Sequence, residues 1–160
     1  MNLTQVKWYF EDFEVGQIIE AGSCSVTEEE IITFAKQFDP QVFHIDPVAA
    51  RASVHGGIIA SGWHTCSLMM RLMADSFLNA TAGIGSPGVD DVRWLKPVRG
   101  GDTLTASSTV VEVVPSRSKP DRGIVRTRWE AKNQRGELVA TVTGMTMCLR
   151  RVATTGMGGH

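Results

Sequence analysis

Two side chains that can handle a proton or a water molecule, Asp39 and His44, lie five positions apart in the stretch FDPQVFHIDP. On a continuous helix this spacing would put them on different faces, but Pro40 ends a helix and lets the chain fold back. An aspartate beside a partly buried histidine can then hold or activate one water molecule. Asp before Pro is also ordinary turn chemistry, and a lone histidine in an apolar run is more often a core residue. Catalytic and structural interpretations both stay open on these residues alone.

A second feature is the pair Gly56 and Gly57 in HGGIIASGW, just before a long apolar segment. The pair fits a turn that needs positive φ, which glycine permits. It also fits the start of a helix, where N–H groups are unpaired and no side chain blocks an approaching carbonyl. Together with a carboxylate and an imidazole, such a helix start favours a site where water adds to an activated acyl group.

Helices are predicted before and after these residues. Thr27 and Glu30 form a capping-box pattern that opens a helix through about Phe38. Asp46 is predicted to cap a short helix that runs through about Ala50. The segment from Ile58 to Leu78 is the longest helical candidate, and its apolar residues cover most of its circumference, which is typical of a helix wrapped by other structure.

The rest of the chain is predicted to form strands: Gly16 to Val26, Val89 to Trp94, Asp102 to Val114, Gly123 to Lys132 and Glu137 to Arg150. The turn residues NQRGE join the last two into an antiparallel hairpin. Four strands without intervening helices favour an antiparallel sheet, so we predict an α+β fold with the sheet curled around the buried helix.

Length, composition and charge argue against several classes of function. A chain of 160 residues is predicted to form one domain, residues 1–153, with a loose tail at 154–160. A net charge of -1 provides no basic field for nucleic acid or an anionic membrane. We expect a cytoplasmic protein, because Met1 to Phe10 has no apolar signal region. Three widely spaced cysteines predict reduced thiols and no metal site.

The sequence resembles the MaoC-like acyl dehydratases, which include the (R)-specific enoyl-CoA hydratases. The resemblance runs from EVGQ through FDPQVFHIDPVAA and HGGIIASGWHT to GVDDVRWLKPVRGGDTL and PSRSKPDRGIVRTRWEAKNQRGELVAT. It implies a hot-dog fold, an acyl-CoA thioester as substrate, no further cofactor, and a homodimer or an assembly of dimers whose sheets join edge to edge.

The resemblance also implies roles for individual residues. Asp39 and His44 would hold the catalytic water, and the amide of Gly56, with Gly57 as its neighbour, would bind the thioester oxygen. A supporting serine of the relatives falls at His64, with Ser61 as the alternative. CoA phosphates would meet three basic residues of one loop: Arg117, Lys119 and Arg122.

The chain departs from the well-studied hydratases before both catalytic positions. Phe38 stands where they carry Gly, and Gln41 to Phe43 replaces their Asn-Pro segment. Hydration of an enoyl-CoA is therefore the first prediction. An acyl-CoA thioesterase and a non-catalytic acyl-CoA-binding subunit are the alternatives.

Overall fold

The computed structural model describes residues 5–152. The tail predicted for residues 154–160 lies outside the described residues. No helix within residues 5–152 has the length and apolar character that would let it cross a membrane.

The first helix, α1 (Glu28–Phe38), begins where the sequence predicts because both halves of the capping box form. The Glu30 N–H donates to the Thr27 hydroxyl at 3.1 Å, and the Thr27 N–H donates to the Glu30 carboxylate at 3.0 Å. Two donors that a helix start leaves unpaired are thereby satisfied.

Two short helices follow α1. The predicted one is α3 (Pro47–Ala52), whose first two free N–H groups donate to the Asp46 carboxylate. The other, α2 (Val42–Ile45), is a single turn that the sequence analysis does not predict. It carries His44, so it decides where the imidazole points.

Five strands form one antiparallel sheet in the spatial order β1-β3-β4-β5-β2. Their bounds are β1 (Ile18–Ser25), β2 (Val89–Trp94), β3 (Thr103–Pro115), β4 (Arg122–Lys132) and β5 (Leu138–Leu149). The predicted hairpin between the last two strands is confirmed, with Trp129 opposite Val142. Within residues 5–152, strand β2 pairs with β5 and has no second neighbour, so both β1 and β2 are edge strands of the described sheet.

The long helix α4 (Gly62–Ser76) lies against the concave face of this sheet, which confirms the predicted layout. Met69 and Met73 on α4 have no solvent exposure. Met69 packs against the half of the sheet that contains Leu104, and Met73 packs against the half that contains Val125. One helix therefore closes the core along the length of the strands.

The predicted start of α4 at Ile58 is wrong, because the helix begins at Gly62 with Ser61 as its N-cap. The Ala60 N–H donates to the carbonyl of Val98 at 2.7 Å, so this segment is extended and bound to a neighbouring loop. Its apolar residues are buried as they would be in a helix, which is why hydrophobicity alone misplaces the boundary.

Candidate active site

Asp39 ends α1. Its N–H donates to the Ala35 carbonyl at 2.8 Å, while its backbone leaves the helical region, as expected for the residue before Pro40. The chain then turns and enters α2. This reversal places His44 beside Asp39, with 3.4 Å between the imidazole Nε2 and a carboxylate oxygen, Oδ2. The structure therefore brings the two predicted residues together.

The orientation of His44 is fixed from its other side. The ring is buried, with 5% of the residue exposed, and its Nδ1 lies 2.7 Å from the carbonyl oxygen of Ile59. A carbonyl can only accept, so Nδ1 carries the proton. In the neutral imidazole, Nε2 then presents a lone pair toward Asp39.

Asp39 is held by two further donors. The Ser61 hydroxyl donates to Oδ2 at 2.7 Å, and the Gln41 side-chain amide donates to Oδ1 at 2.8 Å. The Ser61 hydrogen bond, the Gln41 hydrogen bond and the nearby His44 hold the pKa of this carboxyl below its ordinary value, although partial burial works against them. Asp39 is therefore a carboxylate at neutral pH.

Asp39 Oδ2 and His44 Nε2 are thus two hydrogen-bond acceptors that face each other. A water molecule has two O–H groups and can donate one to each acceptor. Such a water has its oxygen lone pairs directed away from both residues, and it can lose a proton as the oxygen forms a new bond. The arrangement suits addition of water to an electrophilic carbon, or the reverse elimination.

A cavity of about 270 Å³ opens beside this pair. Lining residues come from α2, the start of α4, and the loop after β2: His44, His55, Ile59, Ala60, Gly62, Thr65, Trp94, Leu95, Lys96, Pro97, Val98 and Val139. Lys96 is its one fully charged side chain, and Lys96 pairs with Glu137, which lowers the pKa of Glu137 to about 2. Apart from Lys96 and the two histidines, the walls are largely apolar.

The two predicted glycines differ in what their amides do. Gly56 has φ of +68°, and its N–H donates to the Ser53 carbonyl at 3.1 Å, so it closes a turn. The Gly57 amide has no protein acceptor within residues 5–152. The Arg99 guanidinium donates to the His55 carbonyl at 2.6 Å and holds this loop in place.

The N-terminus of α4 lies at the cavity rather than at the glycine pair. Gly62 is its first residue and lines the same cavity as His44. In the described part of the chain, no protein group accepts from the Gly62 N–H. A helix start with an unpaired N–H is suited to bind a developing negative charge.

Ser61 and His64 were alternative supporting residues, and only Ser61 hydrogen-bonds to Asp39. His64 is 7% exposed and stacks on Phe34, with 4.5 Å between ring centroids. Burial lowers the pKa of His64, and its Nδ1 has no hydrogen-bond partner within the residues the structure describes. His64 therefore packs on Phe34 of α1, and no hydrogen bond joins it to the Asp39 carboxylate within the described residues.

The basic loop of Arg117, Lys119 and Arg122 lies between β3 and β4, at the opposite end of the sheet from the cavity. Strand β4 runs from Arg122 to Lys132, which is ~30 Å at ~3.3 Å per residue. Arg122 also pairs with Asp121 at 2.8 Å. The distance argues against a contact between this loop and a CoA bound beside Asp39 of the same protomer.

The sequence analysis did not predict a role for three residues that lie near Asp39 and His44. Gln41 binds Asp39, Arg99 holds the glycine loop, and Trp94 walls the cavity. Only Gln41 had a sequence signal, since it stands between the two predicted residues. Arg99 and Trp94 follow from the tertiary fold.

Comparison with known proteins places this geometry in a family. The family model described as MaoC like domain matches residues 12–133, which include Asp39, His44 and the start of α4. The chain belongs to the MaoC-like domain family. A crystal structure of the MaoC-like dehydratase from Rhodospirillum rubrum is 41% identical, with a TM-score of 0.86, over 91% of this chain and 99% of that one. The fold is accordingly the hot-dog fold.

Two sequence relatives show the range of this MaoC-like family. An uncharacterized protein of Bacillus subtilis, YdeM, is 30% identical over 78% of this chain and 87% of its own length. The (R)-specific enoyl-CoA hydratase of Rhodospirillum rubrum is 29% identical over 68% of this chain and 74% of its own length. The family thus contains proteins named as hydratases and dehydratases.

Proposed function

We propose that this MaoC-like protein is an enoyl-CoA hydratase, which adds water reversibly to the double bond of a 2-enoyl-CoA and forms a 3-hydroxyacyl-CoA. The observation that carries the proposal is the opposed pair of acceptors, Asp39 Oδ2 and His44 Nε2, 3.4 Å apart beside a largely apolar cavity. Membership of the MaoC-like family and the hydratase names of relatives support the reaction class.

In the proposed reaction, the water held by the pair attacks C3 of the enoyl group. The water oxygen forms the bond to C3, the electron pair of the C2–C3 double bond becomes the C1–C2 double bond of an enolate, and the electron pair of the C1 carbonyl moves onto the thioester oxygen. Asp39 is the weaker base because its hydrogen bonds lower its pKa. His44 Nε2 therefore takes the proton from water, and the Asp39 carboxylate stabilises the imidazolium that forms.

The second half of the reaction returns a proton to C2. The enolate collapses to the thioester as C2 takes a proton from the His44 imidazolium, so His44 ends in its starting state. Dehydration of a 3-hydroxyacyl-CoA follows the same steps in reverse. We propose that no metal or further cofactor takes part, because conjugation to the thioester already makes C3 electrophilic.

The negative charge that develops on the enolate oxygen must be stabilised by hydrogen-bond donors. Two amides have no protein acceptor in the described chain: that of Gly62, which lines the cavity, and that of Gly57 on the preceding loop. We place the thioester oxygen at these amides, with the helix dipole of α4 adding to the attraction. One such donor contributes about 10²–10³ to the rate. The Gly56 amide is engaged with Ser53 and would have to be released to join them.

We also propose a homodimer in which β2 of one protomer pairs with β2 of the other. The hydrogen-bonding edge of β2 that faces away from β5 has no strand beside it within residues 5–152. An exposed edge is a template for pairing with a second strand. Size-exclusion chromatography with light scattering tests this proposal, and a stable, active monomer would contradict it. A cytoplasmic location remains part of the proposal.

The decisive assay follows the loss of enoyl absorbance when the protein meets crotonyl-CoA and a panel of longer, branched and dicarboxylic enoyl-CoAs. We expect turnover of at least one member, and we expect Asp39→Asn and His44→Gln each to lower kcat by ~10²–10⁴. Asp46→Asn is the matched control, since Asp46 also precedes a proline but caps α3, and Asn caps a helix equally well.

Two outcomes would replace the proposal. Release of free CoA thiol from saturated acyl-CoAs, with no loss of enoyl absorbance, would identify a thioesterase. Binding of acyl-CoA in calorimetry, with neither reaction detected, would identify a binding subunit. Retained turnover in both Asp39→Asn and His44→Gln would show that the pair is structural.

A further inference from the structure

A second cavity lies between α4 and strands β2, β4 and β5, and it is partly open to solvent, since Trp63, Met70 and Val89 in its lining are about half exposed. Its volume is about 370 Å³. No acidic or basic side chain is among the residues that line it: Trp63, Cys66, Met70, Leu78, Gly83, Gly85, Ser86, Val89, Val92, Thr127, Trp129, Val142, Gly144, Met145 and Thr146. A cavity of this kind is suited to an uncharged hydrocarbon chain.

The two cavities follow adjacent stripes of the same helix. Gly62 and Thr65 line the cavity beside His44, whereas Trp63 and Cys66 line the second cavity. The boundary between the cavities therefore lies along the first turn of α4. Whatever occupies this boundary decides whether a ligand can extend from one cavity into the other.

The indole of Trp94, which lines the cavity beside His44 and is 47% exposed, lies against this turn. Trp94 ends strand β2 and faces α4, where its ring packs directly on the backbone of Gly62: a Cβ atom at Gly62 would lie only 2.8 Å from the indole Cζ2 and nearer still to other ring atoms. Trp63 meets the same indole edge-on, with 5.3 Å between centroids and 79° between ring planes. Trp94 of the first cavity and Trp63 of the second are thus in direct contact.

We propose that Trp94 is the residue that limits the length of the acyl group, and that the second cavity is an acyl-binding site which this indole separates from the cavity beside His44. The inference rests on the proposed function. A short enoyl group bound beside His44 fits in front of the indole. The methylene groups of a longer chain would collide with the ring, and removal of the ring would let them enter the apolar cavity.

The size of the effect follows from the burial of methylene groups. Exclusion or admission of even one methylene changes kcat/KM by ~10-fold or more in a hydrophobic pocket. A substrate with four additional carbons should respond at least that strongly. Wild type is therefore expected to prefer crotonyl-CoA to an eight-carbon enoyl-CoA, and Trp94→Ala is expected to shift the kcat/KM ratio at least ~10-fold toward the longer substrate.

The test compares that ratio in wild type, Trp94→Ala and Trp94→Phe, with the Phe variant expected to lie between the other two because its ring is smaller. Trp8→Ala is the matched control. Trp8 packs on Phe13 in the other half of the core and lines neither cavity, so its loss lowers stability without moving the ratio. Circular dichroism and light scattering verify the fold and assembly of each variant.

Calorimetry separates failure of this inference from failure of the proposed function. Binding of saturated butyryl-CoA and octanoyl-CoA requires no hydration. A shift of the Kd ratio in Trp94→Ala therefore supports the second cavity as an acyl-binding site even if wild type turns over no enoyl-CoA. The inference is overturned if folded Trp94→Ala shows the wild-type ratio in both kinetics and binding. It is also overturned if wild type already prefers the eight-carbon substrate.

Discussion

The hydroxyl of Ser61 donates a 2.7 Å hydrogen bond to Asp39 Oδ2, the same carboxylate oxygen that faces His44 Nε2. Ser61 is fully buried and is also the N-cap of α4, so the start of the central helix and the carboxylate are joined by one side chain. This contact places the carboxylate relative to the helix N-terminus. It is also the first cause of the lowered pKa of Asp39.

Replacement of Ser61 by alanine is therefore predicted to raise the pKa of Asp39 toward its ordinary value. The low-pH end of the acid limb of the kcat/KM profile, where loss of the Asp39 carboxylate adds to loss of the His44 base, should move to higher pH, because less of the enzyme then carries the carboxylate in acid. We expect kcat/KM at neutral pH to fall by ~10-fold, as for loss of a hydrogen bond to a charged group. The measurement is a pH–rate profile with the preferred enoyl-CoA.

The control is Ser67→Ala on the same helix, where the hydroxyl donates to the Trp63 carbonyl and lies away from Asp39. Its acid limb should match wild type. Stability gives a second readout with a definite sign: a folded-state pKa below the unfolded one stabilises the protein above the unfolded value, and this stabilisation is lost as pH falls through the folded pKa. An unchanged acid limb in Ser61→Ala would show that Ser61 acts only as a helix cap.

Gln41→Glu, as a separate single variant, is also predicted to raise the pKa of Asp39. The substitution keeps the shape of the side chain but replaces the amide that donates to Asp39 Oδ1 at 2.8 Å with a second carboxylate. Two neighbouring carboxylates disfavour the charged form of both. The acid limb of kcat/KM should again shift to higher pH, and the melting temperature at neutral pH should fall modestly, because the stabilisation that comes from the lowered pKa of Asp39 is reduced.

Gln37→Glu adds the same charge on the exposed face of α1 without a contact to Asp39, so it controls for net charge. If Gln37→Glu and Gln41→Glu move the acid limb equally, the effect is long-range electrostatics, and Gln41 does not position the carboxylate.

Local signals in the sequence predicted most of the secondary structure. The Thr27 and Glu30 capping box and the Asp46 cap act over three residues, and both are present in the structure. The turn residues NQRGE likewise predicted the hairpin of β4 and β5. These features depend on neighbours in the chain, so the sequence contains all the information they need.

Features that depend on residues far apart in the sequence could not be predicted from local sequence patterns. The segment before α4 is extended because Ala60 bonds to Val98, a partner 38 positions along the chain. Helix α2 is too short for any periodic pattern, yet it aims His44 at Asp39. The pairing of β2 with β5 and the wall formed by Trp94 against Gly62 arise only when the sheet closes over the helix.

Gly123→Ala is predicted to destabilise the fold at the end of the sheet away from the site. Gly123 lies in β4, and a Cβ atom there would approach within 2.6 Å of the Phe10 Cδ2. Phe10 is 5% exposed and cannot move without disturbing the core. We expect a loss of ~1–3 kcal/mol in the free energy of unfolding, measured by urea denaturation.

Gly83→Ala is the matched substitution, because the nearest atom to its Cβ, the Thr146 methyl carbon, would lie at an ordinary 3.5 Å. This variant should unfold within ~0.5 kcal/mol of wild type. Equal losses in the two variants would mean that glycine flexibility, and not the contact with Phe10, governs stability at Gly123.

Cys148 is predicted to resist thiol reagents as long as the protein is folded. Burial, followed by the nearby Glu11 and Asp12 carboxylates, raises the pKa of its thiol to about 11. The reactive species is the thiolate, so at pH 8 only a small fraction of Cys148 is available, and the side chain has no solvent exposure. Burial also raises the pKa of Cys24 and Cys66, although both are partly exposed.

Titration with a chromogenic disulfide at pH 8 should therefore show two slow thiols, with the third reacting only on the timescale of unfolding. Mass spectrometry of the labelled peptides assigns the slowest one to Cys148, and addition of urea should make all three react at one rate. Rapid labelling of Cys148 in the native protein would mean that the end of β5 opens readily. In that case the packing of Phe10 on β4, where Gly123 pairs with Cys148, would stabilise the fold less, and Gly123→Ala would cost less free energy of unfolding than predicted.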